Sequence, residues 1–595
     1  MEIAAWRKSF YFHFVSYNNK RFKIIFSLLL IGLFALLAIK GCFYYEDGED
    51  PYLVMLAKGE FAGGPQNIPN SFGVWIGLTY VLKCLFQCCA GLDWYAVLMT
   101  LGYSLLILQL IRIFPLLFDT TERFLSRWPA IVVLGGCAIL FGEHFFLWQL
   151  TRLSFFLSGL AILNMWLDLL AKEPVGNYKL KQAFHLLCFT YAGLIRLEPA
   201  VLNLVFWLPL MGLGLLNGVR IRNYLVLLLP VGIILTLSFI VNTPFNKIDK
   251  DYLDFRRYQF SLLDFQQPVN TLKIADAKDS VIYYAAKKAF LCDRQQVNPA
   301  FFDRIGILPM DKTPRSIPYY LQNLSSAPAK IKISVFKLLA WNSGFTLLYF
   351  IFLITGGLVV YDNQRKNLGW YLLVQLYPIM LYLAITALMK MENRVLVPMM
   401  WCALLQSIIA ISMLARENVK DRRPVLPVLL AMLIILPIVS FDSVKIFNRW
   451  NARKTETVEM GKLIESVSAK PEKYVVINGN TLGRLYPQPY NTPQLFRAKT
   501  PLSIDNFMLF LSPGYPVYMQ SVCGTSDLRG VFQFMSAHKD EVLIIGQTSR
   551  MDLLQQYFKT VYDMPVLYRT DTITNAVTNT GLNRGRDKIY FYHLI

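Results

Sequence analysis

The sequence predicts an all-α polytopic membrane bundle of about eleven transmembrane helices, followed by a small C-terminal α/β domain outside the membrane. Three observations predict it. Of 595 residues, 55% are hydrophobic and 16% charged, with mean hydropathy +0.40, whereas a soluble domain carries about 25% charged residues. Apolar runs able to cross a hydrocarbon core of about 30 Å recur along the chain. The basic residues, 59 against 39 acidic, gather in alternate short polar stretches between those runs.

The runs lie near 24–43, 94–114, 130–148, 153–171, 183–195, 199–217, 224–242, 345–361, 368–388, 395–415 and 424–441. The 183–195 run is short, so its helix is expected to begin earlier or to continue past Arg196. A further run, 72–90, contains Lys83 and Gln87, and positive-inside counting decides its role. If it lies along the outer surface, nineteen basic residues between Arg7 and Arg423 fall inside and seven near outer ends. If it crosses, fourteen of those nineteen fall outside. The rule therefore places 72–90 as a juxtamembrane helix in the interface.

That topology divides the chain. Residues 1–23 form a cytoplasmic segment, aromatic and basic, with no pattern for a cleaved signal. Residues 24–441 form the transmembrane region, with a first outer loop at 44–93 and a large one at 243–344. The large loop is polar and interrupted by prolines from Pro244 to Pro328. Residues 442–595 form an extracytoplasmic domain with β-rich runs at Tyr474–Asn478, Val542–Gly546 and Ile589–His593 and helical patterns at 456–468 and 549–558.

Several functions are disfavoured. The +20 charge sits in loops beside apolar spans rather than in a patch interleaved with aromatics, so no nucleic-acid partner is expected. The nine cysteines include no CxxC and no Cys/His metal spacing. There is no Walker GxxxxGK[ST] and no GxGxxG after a strand. No inverted pair of halves with broken helices is evident, which weakens a transporter reading.

Chemistry concentrates in two places. Tyr44-Tyr45-Glu46-Asp47-Gly48-Glu49-Asp50-Pro51-Tyr52 packs carboxylates just past the first span. Such a cluster can supply a general base, or hold a divalent metal such as Mg or Mn through Asp47, Glu49 and Asp50; a plain acidic solvated loop is the alternative. The second place is a set of outer helix ends: Glu143 and His144, then Gln149 and Arg152; Arg196 with Glu198; and Lys390, Glu392 and Arg394. Ionisable groups at such depth are costly and face a cavity or a partner. The arginine fork suits phosphate oxygens, while internal ion pairing, Arg196 with Glu198 for instance, is the competing explanation.

The stretch Glu49-Asp50-Pro51-Tyr52-Leu53-Val54-Met55-Leu56-Ala57-Lys58-Gly59-Glu60-Phe61-Ala62-Gly63-Gly64-Pro65 resembles the first outer loop of GT-C glycosyltransferases. Asp93-Trp94-Tyr95, Thr151-Arg152, Arg196 with Glu198, and Arg394 before Pro398 fit the same pattern, and the likeness covers roughly residues 20–415. No WWDYG-type motif is present, which argues against the oligosaccharyltransferase branch. The resemblance implies transfer of a sugar from a polyprenyl-phosphate lipid donor, usually with inversion, to a hydroxyl on a glycan, lipid or protein acceptor. Membrane lipids are then partners, and the expected location is a bacterial inner membrane. Asp50 would be the base, with Asp47 and Glu49 assisting or holding a metal. His144, Arg152, Arg196, Glu198, Lys390 and Arg394 would bind the donor's phosphate end. The rivals are a flippase or transporter of lipid-linked saccharides and a polymerase or ligase acting on them. A phosphoethanolamine-type transferase would need a zinc cluster, and the C-terminal region offers only His538 and His593.

Overall fold

The structure is a computed structural model describing residues 20–45, 49–60, 64–65, 76–125, 127–171, 175–216, 218–246, 258, 262, 272–287, 293–307, 309, 328, 331–332, 335–336, 343–388, 393–414, 425–477, 488–490, 499–504, 514–577 and 588–595. The chain divides into two compact units. One comprises 1–40, 98–241 and 322–448, the other 41–97, 242–321 and 449–595.

The first unit is built from helices. In chain order they are α1 (Lys20–Ile39), α2 (Trp94–Leu125), α3 (Arg127–Phe146), α4 (Leu150–Ala171), α5 (Val175–Ile195), α6 (Leu197–Phe206), α7 (Leu208–Leu216), α8 (Ile221–Asn246), α9 (Ser343–Gln364), α10 (Leu368–Leu388), α11 (Asn393–Leu414) and α12 (Val425–Ala469); residues 94–97 of α2, 242–246 of α8 and 449–469 of α12 count with the second unit. Among the described residues five stretches are long and apolar enough to cross a membrane: Trp94–Phe118, Leu150–Leu170, Leu197–Leu216, Leu368–Ala387 and Arg394–Leu414. Ile24–Ile39, Val133–Phe146 and Tyr349–Tyr361 are shorter apolar helices. The α4 window is 94% buried and that of α10 only 28%, so α4 is central and α10 peripheral. On α8, Ile221, Leu225, Leu229 and Ile233 are each at least half exposed. Their spacing of four makes one continuous apolar stripe, a surface suited to lipid and costly in water.

The short 183–195 run does begin earlier. Helix α5 starts at Val175 and carries Lys179 and Lys181 in its first turns. The span expected at 424–441 and the helix expected at 456–468 are one continuous helix, α12, with Pro437 inside it.

The second unit holds helices Glu49–Lys58 and Ile76–Cys88, the segments around Ala277–Lys287 and Pro299–Arg304, and a five-stranded sheet. Its strands are β1 (Tyr474–Ile477), β2 (Thr500–Leu502), β3 (Val542–Gln547), β4 (Tyr568–Val577) and β5 (Lys588–Leu594), in the order β2-β1-β3-β5-β4. β1 runs parallel to β2 and β3, with Tyr474 opposite Thr500 and Val542. β5 is antiparallel to β3 and β4, with Ile544 opposite Tyr592. Central β3 is buried along its whole length, as its near-continuous apolar run requires. Helix Leu528–Ala537 buries Leu528, Val531, Phe532 and Met535, one face at helical spacing.

The segment before the sheet domain is tied into it. Tyr557 donates to Asp293 Oδ2 at 2.8 Å, and Tyr562 donates to the same oxygen. Gln488 Nε2 donates to the Gly41 carbonyl at 2.7 Å and Trp450 Nε1 to that of Cys42 at 3.0 Å. Residues just after α1 therefore belong to the same unit as the sheet.

Asp527 caps helix Leu528–Ala537, its Oδ1 accepting the Gly530 N–H at 2.8 Å. Burial pushes its carboxyl up, but the Thr525 hydroxyl, backbone N–H groups and Arg529 outweigh it, so the net shift is downward. A depressed carboxyl stabilises the fold above its unfolded pKa of about 3.9 and loses that contribution as pH falls through its lower folded value. Asp527→Ala should cost about 1 kcal/mol at neutral pH. The difference from wild type in thermal melts should shrink in strong acid.

Candidate functional site

In the second unit Asp50 occupies the first turn of helix Glu49–Lys58. It is fully buried, because the helix around it, with Leu53, Val54, Met55, Leu56 and Ala57, is itself buried. Tyr95 donates its hydroxyl to Asp50 Oδ1 at 2.5 Å. Tyr45 is buried beside this pair, its ring centroid 6.2 Å from that of Tyr95. Burial, and then the charges of Asp93 and Asp50, push the Tyr45 phenol well above its usual range, so it stays a neutral hydroxyl. Asp93 Oδ1 accepts the Ala96 N–H at 3.0 Å and so caps the start of α2, which places Tyr95.

The turn after the helix needs glycine. Gly59 has φ +76°, and a Cβ there would stand 1.7 Å from the Gly64 carbonyl oxygen. Lys58 lies 5.9 Å from the Phe86 ring centroid of helix Ile76–Cys88, the segment assigned by charge counting to the interface.

In the first unit His144 ends α3 and Arg152 lies in the first turn of α4. Both are buried, and Arg152 Nη1 is 3.1 Å from His144 Nδ1. Guanidinium can only donate, so His144 Nδ1 accepts and its proton sits on Nε2. The imidazole is packed among Phe141, Phe156 and Trp401. Gln149 Oε1 accepts the Arg152 N–H at 2.8 Å, and Gln149 Nε2 donates to Thr151 Oγ1 at 3.2 Å.

Arg196 sits in extended backbone between α5 and α6. Its Nη1 donates to Thr151 Oγ1 at 2.7 Å, while its Nε is 3.7 Å from Glu198 Oε2, whose side chain is 69% exposed. Ser154 on α4 donates to the carbonyls of Ala192 and Arg196, which holds the end of α5 against α4. Thr151 thus links the two arginine environments, and His144, Arg152, Arg196 and Glu198 form one connected set. Arg394 opens α11, half-buried, about 10 Å along the helix axis from Trp401.

Asp47 and Lys390 lie outside the described residues, and for Glu49 only the backbone is described. Among the described residues no three His, Cys, Asp or Glu side chains cluster as metal ligands. Asp50, with one oxygen held by Tyr95, is by itself too small a donor set for Mg or Mn, so the described residues do not make up a metal site. Tyr45, Tyr95, Gln149 and Thr151 stand within the stretches singled out from sequence, but the sequence assigned none of them a role. Their signal was position, at the ends of apolar runs beside the acidic and basic candidates.

No protein-family model, no characterised protein and no solved structure matches this chain.

Proposed function

We propose that the chain is a membrane glycosyltransferase of the GT-C type, with eleven spans, moving a sugar from a polyprenyl-phosphate donor to an acceptor hydroxyl on a glycan, lipid or protein. The observation that carries this reading is Asp50, a fully buried carboxylate fixed by Tyr95 on a short helix just after an apolar one. A carboxylate left in such a place is costly unless it is used. Tyr95 fixes Oδ1, and Oδ2 is assigned the acceptor proton. The acceptor oxygen bonds to the anomeric carbon as the bond from that carbon to the phosphate oxygen breaks. Polyprenyl phosphate leaves with the bonding pair, and the configuration inverts. Negative charge grows on the leaving oxygen, and Arg196 and Arg152, with Arg394, are assigned to stabilise it.

The reaction takes place at the outer face of a bacterial inner membrane. Basic asymmetry puts the N-terminus inside and the C-terminal domain outside. Reporter fusions at Lys181, Arg422 and Ile595 should read inside, inside and outside; a cytoplasmic Ile595 would overturn the orientation and the interfacial role of 72–90.

The activity itself is tested with purified protein and a panel of labelled polyprenyl-phosphate sugars. Binding of one donor and transfer to an added acceptor support the reading. Binding with no transfer to any glycan, lipid or protein acceptor would favour a flippase.

A further inference from the structure

Arg196 alone separates α5 from α6, and its backbone is extended, with φ −157° and ψ 120°. Its N–H still closes the last turn of α5, on the Ala192 carbonyl at 2.9 Å. Beyond that bond the residue has left the helix, so the place of its side chain depends on what holds the chain on either side of it.

One face of α4 does that. Thr151, Ser154 and Ser158 follow one another at three and four positions, the spacing of side chains that share a helical face. All three are buried, and each meets the stretch from Ala192 to Asn203. Thr151 Oγ1 accepts from Arg196 Nη1 at 2.7 Å. Ser154 Oγ donates to the Arg196 carbonyl at 2.7 Å and to that of Ala192 at 2.9 Å. Ser158 Oγ accepts from Asn203 Nδ2 at 2.8 Å, and the same amide donates to the Phe155 carbonyl at 2.8 Å. Asn203 is fully buried and lies over Gly159, where a Cβ would stand 2.9 Å from its Oδ1. It is seven residues past Arg196, about 10 Å along α6. Hydrogen bonds between membrane helices contribute little each to stability, yet these converge on the joint that carries Arg196.

We propose that Ser154 and Asn203 are positioning residues for Arg196, fixing the backbone on both sides of it so that its guanidinium is in place before a donor phosphate arrives. The inference rests on the reading of Arg196 as a phosphate contact. Neither side chain is assigned a contact with the donor. Ser154 holds the carbonyl of Arg196 itself, and Asn203 holds the helix that follows. A group ordered in advance binds more tightly, because less freedom is lost on binding.

The test measures binding of polyprenyl phosphate, per folded molecule, to the full-length protein in four forms: wild type, Ser154→Ala, Arg196→Ala and the double variant. Ser154→Ala should weaken binding about 3–10-fold. In the Arg196→Ala background the same change should cost less than about twofold, since a residue that acts through Arg196 has nothing left to position. Losses that multiply would show that Ser154 supports the fold generally, and would overturn the proposal while leaving the phosphate role of Arg196 standing. Unchanged binding in Ser154→Ala would overturn it equally. A wild type that binds no polyprenyl phosphate would overturn the reading of Arg196 itself, and the proposal with it. If Ser154→Ala fails to fold, Gly159→Ala takes its place in the same four-way comparison, because its added Cβ displaces Asn203 and leaves Ser154 intact.

Discussion

Asp50→Asn should lower sugar transfer by about 10²–10⁴-fold, the range for loss of a general base, while donor binding and protein yield stay near wild type. The asparagine keeps the shape and still accepts the Tyr95 hydroxyl on its amide oxygen. It cannot take a proton at the other position. Burial sharpens the expectation, because a fully buried carboxylate is not a group that solvent could replace. Transfer that survives at wild-type rate would return Asp50 to a structural role, holding Tyr95 at the start of α2. Loss of folding with Asp50→Asn is not expected, since the substitution removes a buried charge and leaves the hydrogen bond from Tyr95 at 2.5 Å with an acceptor.

Arg196→Ala should weaken binding of a polyprenyl-phosphate donor by about 10–100-fold, the loss of one charge-assisted hydrogen-bonded contact. Arg196→Lys should restore only part of it, because a point charge does not reproduce the two-pronged fork. The residue suits the test because its side chain is less enclosed than that of Arg152, at 18% exposure, with a bond to Thr151 at 2.7 Å. Glu198 is 3.7 Å away and mostly exposed, and such pairs contribute little to stability. Arg152 would be a poorer choice: it is 3% exposed and its guanidinium is bonded to His144, so its removal disturbs packing as well as charge. A variant that binds donor normally per folded molecule would make Arg196 a local tie to Thr151.

Hydropathy and charge made the helical, membrane-suited character of the chain legible, along with the strands at Tyr474, Val542 and Lys588. Boundaries were less legible where polar residues lie within helices. Lys179 and Lys181 hid the first turns of α5, and the polar residues after Asp442 hid the continuity of α12. Strand β2 is three residues long with Pro501 inside it, and β4 begins Tyr-Arg-Thr-Asp-Thr, a polar edge strand with little apolar signal. Helix Leu528–Ala537 did leave a trace, Asp527 followed by apolar residues at 528, 531, 532 and 535.

The candidate site follows the same division. Asp50, Arg152 and Arg196 are visible as charges beside apolar runs. The partner of Asp50 is not, because Tyr95 is 45 positions away and tyrosine at the end of a span is common as an interfacial anchor. The supports of Arg196 escaped for a related reason. They join α4 to α5 and α6, and serine inside an apolar run reads from sequence as a small packing residue. The spacing of Thr151, Ser154 and Ser158 places them on one helical face, a signal available inside an otherwise apolar run.

The most direct measurement uses the full-length protein in liposomes, with a labelled polyprenyl-phosphate sugar and an acceptor, comparing wild type with Asp50→Asn side by side. Wild type should release polyprenyl phosphate and label the acceptor with inverted configuration, and Asp50→Asn should bind the donor without transferring it. Labelled lipid that crosses the bilayer intact, equally in both proteins and with no labelled acceptor, would overturn both the transfer reaction and the role of Asp50 as its base.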